Sequence, residues 1–141
     1  MESTETINRF FASDRFVQMV GAELLEVREG YARARMLVTP KHLNGAGTCQ
    51  GGALFTLADF AFAAAVNSHG IVTVTTSSHI TYVRPAHEGW LYAEAVEIVN
   101  HHKMPFAEVR LTDEEGQLVA IFTSSGYRKN HTLAEMEKTL S

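Results

Sequence analysis

The sequence predicts an α+β domain in which one curled antiparallel sheet wraps a single long helix. Three observations carry that expectation. A glycine-rich stretch, Asn44-Gly45-Ala46-Gly47-Thr48-Cys49-Gln50-Gly51-Gly52, opens straight into an apolar run at 53–66, and a helix apolar nearly all round must be covered on most of its surface. Short segments rich in Val, Thr and alternating apolar residues lie before and after it, the pattern of half-buried strands. No second long helical pattern follows, so a sheet has to do the covering.

In chain order, Ile7, Phe10 and Phe11, then Phe16, Val17, Met19 and Val20, predict a short helical segment that Ser13-Asp14 breaks or caps. Strands are expected at 22–27 and 31–38. Arg28-Glu29-Gly30 turns between them, with Gly30 free to take positive φ. In the second strand Tyr31, Arg33, Arg35 and Leu37 alternate with Ala32, Ala34, Met36 and Val38, which suits one wet and one buried face. Pro40 ends it. The central helix is expected over 53–68, about 24 Å at 1.5 Å per residue, with Gly70 as its C-cap. Four more strands are expected at 71–84, 90–100, 106–112 and 117–127, the third and fourth joined by Asp113-Glu114-Glu115-Gly116. The polar tail at 129–141 reads as a frayed helix. An open sheet of this kind leaves an edge, which pairing of two copies would hide.

Composition narrows the function. The 141 residues suit one domain, 1–141, with 45% hydrophobic and 20% charged residues. The net charge of −4, with no basic stripe, argues against nucleic acid as a partner. One cysteine, Cys49, excludes an intrachain disulfide and suits a reducing compartment. The start, Met1-Glu2-Ser3-Thr4-Glu5, is acidic and polar, unlike a signal peptide. The longest apolar run is broken by Asp59 and too short for a bilayer, so the expectation is a cytoplasmic protein with no membrane partner. The histidines show no metal-ligand spacing, so no metal site is expected.

Four segments carry a family resemblance: His42-Leu43-Asn44-Gly45, Gly51-Gly52-Ala53-Leu54-Phe55-Thr56-Leu57-Ala58-Asp59, Ala65-Val66-Asn67-Ser68-His69-Gly70 and Ile80-Thr81-Tyr82-Val83-Arg84-Pro85-Ala86. Together they resemble the hotdog-fold acyl-CoA thioesterases of the phenylacetic-acid-degradation (PaaI-like) type, over a core of about 16–128. The resemblance implies hydrolysis of an aryl- or medium-chain acyl-CoA, with coenzyme A as part of the substrate and no separate cofactor. It also implies a homodimer at least, or a homotetramer, with sites at the interface. Where the family usually has His-Gly-Gly, this chain has Gln50-Gly51-Gly52. Gln50 donates and accepts hydrogen bonds but is no acid or base near pH 7.

Residue by residue, Asp59 is a lone carboxylate in a buried helix, costly unless paired, protonated or used. The resemblance implies that it attacks the thioester or activates water, and both roles suit a desolvated Asp. Gly51 and Gly52 offer backbone N–H groups at a helix N-terminus, Gly51 as oxyanion donor. Asn44 reads either as a holder of the water or carboxylate or as an Asn-Gly turn. Thr75 and Ser77 are expected on one face of the third strand, Thr75 orienting the water beside Asp59 of the other subunit. Arg84 and Lys103, with His101 and His102, are candidates for coenzyme A phosphates. Phe55, Phe60 and Phe62 read as core or interface, one of them lining the acyl pocket. Cys49, near a helix N-terminus, is a weaker nucleophile candidate with no placed base. Two other functions are weighed: a non-catalytic acyl-CoA binder, and a hotdog hydratase or dehydratase, which the missing histidine disfavours.

Overall fold

The computed structural model describes residues 4–140; the outermost residues of the acidic start and of the polar tail, 1–3 and 141, lie outside the described residues. Two short helices, α1 (Thr4–Phe10) and α2 (Arg15–Val20), are separated by a 3-10 turn at Phe11–Ser13. Asp14 caps α2, accepting from the Val17 N–H at 3.1 Å, so the expected break is a genuine N-cap. Strand β1 (Ala22–Arg28) and β2 (Tyr31–Val38) form a hairpin, and Gly30 takes φ +68° in its turn. The long helix α3 (Gly51–Asn67) follows, then β3 (Ile71–Tyr82), β4 (Gly89–Val99), β5 (Phe106–Thr112), β6 (Leu118–Thr132) and the terminal helix α4 (Leu133–Leu140).

The six strands make one fully antiparallel sheet in the order β1-β2-β4-β5-β6-β3. Alternation decides which side faces α3: Ala32, Ala34, Met36 and Val38 of β2, with Leu91, Ala93 and Ala95 of β4, are buried. Phe62 on α3 meets Phe122 on β6 edge-on, at 6.3 Å between ring centroids. The alanines at 58, 61, 64 and 65 are fully buried, which brings the helix axis close to the sheet. The least buried positions of α3 are Gly51, Gly52, Ala53, Phe55, Thr56, Asp59 and Ala63. Of these, 52, 56, 59 and 63 recur at three- and four-residue spacing as one stripe the sheet leaves uncovered.

Most strand boundaries differ from the expected ones by a residue or two, and three further differences have a local cause. The helix begins at Gly51, two residues early, because Gln50 is its N-cap: the Gln50 carbonyl accepts from the N–H of Ala53 at 3.0 Å. It ends at Asn67 with Ser68 as C-cap; Gly70 follows with φ +89° in the turn into β3. Buried Asn67 secures that end, giving its amide to the Ala63 and Thr73 carbonyls and accepting from the Thr73 N–H. Finally, β6 runs five residues further, to Thr132, because its backbone pairs with the start of β3, Ile71 opposite Thr132 and Thr73 opposite Arg128. Only then does a helix form, with Thr132 and Glu135 exchanging capping hydrogen bonds and Leu133 buried.

Candidate active site

Asp59 sits on the uncovered stripe of α3, opposite β3. Thr75 donates its hydroxyl to Asp59 Oδ1 at 3.2 Å, and among the described residues the carboxylate makes no other hydrogen bond. Asp59 and Asp14 line one cavity of about 340 Å³, walled by Phe11 and Phe16 from the N-terminal segment and by Phe55 and Phe60 from α3. Burial pushes the Asp59 carboxyl above the ordinary carboxylate range; the Thr75 hydrogen bond works against that and the charge of Asp14 adds to it. An acceptor held part-desolvated, with one oxygen free, is equipped to attack a carbonyl or to take a proton from water.

The contact between Thr75 and Asp59 lies within one chain. Thr75 thus reaches Asp59 of its own chain, which the approach of β3 to α3 makes possible. Ser77 does not share the face of Thr75. A bulge interrupts the register between them: Thr75 lies opposite Gly126, whereas Ser77 lies opposite the neighbouring Ser125. Partners across a ladder share a face and neighbours on a strand do not. Ser77 thus faces away from α3, and Thr75 towards it.

At the helix entrance the Gln50 side chain accepts from the Gly52 N–H at 3.2 Å. The Gly51 N–H is left without a partner among the described residues, at the positive end of α3. Tyr82 donates its hydroxyl to the Gly51 carbonyl at 3.0 Å, and a Cβ at position 51 would stand 2.9 Å from that hydroxyl oxygen. Only glycine leaves both the tyrosine and the N–H in place. Eight residues of helix separate Gly51 from Asp59, about 12 Å along the axis, so the two cannot touch the same carbonyl from one chain.

Asn44 is spent on its own loop. Its Oδ1 accepts from the N–H groups of Ala46 and Thr48, and its amide donates to the Thr48 hydroxyl, which is the turn reading. Cys49 is buried, and burial pushes its thiol up to about 11, so it is no thiolate near neutral pH. Phe55 and Phe60 line the Asp59 cavity, while Phe62 is core. Arg84 borders a cavity of about 430 Å³ that also holds Glu88, Asp113, Glu114 and Glu115. Lys103 borders one of about 440 Å³ with His102, Arg128, Lys129 and His131 against a single acid, Glu135. A histidine–carboxylate pair does exist, His69 with Glu97 at 2.8 Å, but it lies past the C-terminal end of α3, away from Gly51 and Asp59.

Two participants escaped the sequence reading. Tyr82 stands in a segment that carries the family resemblance, and Asp14 carries a helix-capping signal. Neither has a sequence feature that announces contact with α3; both arrive there through tertiary packing.

The model of the thioesterase superfamily matches residues 46–120, a span that holds Gly51, Asp59, Thr75 and Tyr82. An Archaeoglobus fulgidus protein assigned to the esterases is 38% identical over 121 residues, covering 85% of this chain and 79% of its own. The acyl-coenzyme A thioesterase PaaI of Escherichia coli is 28% identical over 130 residues, covering 92% and 93%. The structure of E. coli PaaI superimposes with a TM-score of 0.87 at 29% identity, over 93% of this chain and 99% of that one. A variant of PaaI from Thermus thermophilus gives 0.78 at 36%, over 82% and 100%. The curled sheet around one helix is thus the hotdog fold, and the chain belongs to the thioesterase superfamily as a thioester hydrolase.

Proposed function

We propose that the protein hydrolyses acyl-coenzyme A thioesters to the free acid and coenzyme A, in a site shared between two copies of the chain. The observation that carries this is the pairing of a part-desolvated carboxylate, one oxygen of which is free among the described residues, with a helix-terminal N–H that has no partner among them, about 12 Å away along α3. An oxyanion donor and a nucleophile must both lie about 3 Å from one carbonyl group, so Gly51 of one copy serves Asp59 of another. The edge strand β3, twelve residues long and largely exposed at 74–82, suits the pairing that would bring them together. The arrangement is a homodimer at least, and two such dimers make the homotetramer the family resemblance implies. The name of the E. coli relative supports the acyl-CoA substrate.

In the reaction, Asp59 either attacks the thioester carbon, expelling the coenzyme A thiolate and leaving an anhydride that water opens, or takes a proton from the water that attacks. In both routes the Gly51 N–H meets the oxygen on which charge develops. Lys103 and its basic neighbours suit the phosphates better than Arg84, whose cavity is crowded with acids. Arg128 faces Thr73, two residues along β3 from Thr75, so the cleft is roughly 7 Å from the catalytic register. Gln50 takes part as the cap that occupies the Gly52 N–H and leaves that of Gly51 open. The lone buried Cys49 is in keeping with a cytoplasmic protein.

Thiol release from a panel of acyl-CoAs, followed in wild type and Asp59→Asn, tests the reading. Release by the wild type and a loss of about a thousandfold or more in the variant is the expected result. A folded wild type that releases no thiol from any of them would make the protein a non-catalytic acyl-CoA binder.

A further inference from the structure

Resting on that reading, we propose that Asp14 determines specificity: it gives the acyl pocket a second fixed negative charge, so that the enzyme accepts uncharged acyl groups and rejects those ending in a carboxylate. The pocket beside Asp59 is aromatic on four sides, yet Asp14 also faces it. One oxygen of Asp14 caps α2; the other makes no hydrogen bond among the described residues. The lining contains no Lys, Arg or His, and among the described residues neither Asp14 nor Asp59 forms an ion pair. Two carboxylates therefore share this space, and its lining from this chain supplies no counter-charge.

A catalytic site needs only one of them. The cap itself does not require a charge, since Asn or Ser closes a helix N-terminus as well as Asp does. What the carboxylate adds over those alternatives is an electrostatic boundary. An acyl chain ending in a methyl or a phenyl ring packs on the phenylalanine walls with Val17 and Ala63. One ending in a carboxylate brings a third negative charge into a cavity of about 340 Å³, where like charges a few ångströms apart repel far more strongly than in water. The cavity is large enough for a ring or a medium chain, so size alone would not separate the two.

The test compares kcat/KM for matched substrates: hexanoyl-CoA against adipoyl-CoA, and benzoyl-CoA against para-carboxybenzoyl-CoA. In the wild type the uncharged member is favoured on the order of 100-fold. Asp14→Asn keeps the cap and removes the charge, and it lowers that ratio by about tenfold or more through a gain on the carboxylated member. Asp14→Ala loses cap and charge together, so it lowers the ratio similarly and also lowers Tm. A wild-type ratio near one, or a ratio that Asp14→Asn leaves alone, overturns the proposal. Hydrolysis of no acyl-CoA in any variant or in the wild type overturns instead the thioesterase reading beneath it.

Discussion

At the residue scale, opposing influences meet on the Asp59 carboxyl: burial raises it, Asp14 raises it, and the Thr75 hydroxyl lowers it. Either catalytic role needs the ionised form, so the acid limb of the kcat/KM profile should lie above the ordinary carboxylate range. Thr75→Val removes the one hydrogen bond made to that anion among the described residues. The limb should move to higher pH, and the plateau rate should fall roughly tenfold. Asp14→Asn should move the limb the other way. An unmoved limb in both variants would mean that a group other than Asp59 titrates in the profile. The same shift has a stability consequence. A carboxyl raised in the folded state stabilises below its unfolded pKa, and that contribution is lost as pH rises through the folded one. Asp59→Asn should therefore be more stable than wild type at neutral pH, by an amount that vanishes in acid, as urea midpoints at the two pH values would record. Lost turnover in a stabilised variant separates catalysis from folding.

Among the elements, the ends of α3 do different work. Its N-terminus is closed by an exposed Gln50 that leaves one N–H unused; its C-terminus is tied down by Asn67, which is buried and bonded on both sides of its amide. Asn67→Ala would leave the Thr73 N–H and carbonyl buried without partners, and should cost on the order of 3 kcal/mol in urea denaturation. Gln50→His should be tolerated or activating, because a histidine can still accept from the Gly52 N–H; a large loss of kcat would give Gln50 a role beyond capping. The bulge in β3 matters as much as either cap. Without it Thr75 and Ser77 would share a face, as plain alternation predicts, whereas the register sends only Thr75 to Asp59.

For the whole molecule, the separation of Gly51 from Asp59 makes a prediction that no single-chain mechanism shares. Gly51→Pro removes the N–H while suiting the first turn of a helix, and the exposed end of Tyr82 can swing clear of the ring. That variant and Asp59→Asn should each be inactive alone. Co-expressed, they should form mixed dimers in which one site keeps both an intact Gly51 and an intact Asp59, and activity should return to roughly a quarter of wild type if the copies mix freely. Continued inactivity of the mixed dimer would place both groups in one chain's site and break the composite reading.

Much of this protein was legible in its residues. The apolar run, the alternation in 31–38 and the turn residues specified one helix in one sheet, because periodicity and backbone sterics are local properties. Asp59 and Gly51 stood out for a similar reason: a charge in an apolar helix and a bare N–H at its start are visible without a partner. The two extra residues of α3 before Ala53, the last five residues of β6, the bulge that turns Ser77 away, and the arrival of Asp14 and Tyr82 at α3 were decided only by tertiary structure. Each depends on which backbone or side chain lies across the gap, a distance set by packing rather than by sequence spacing.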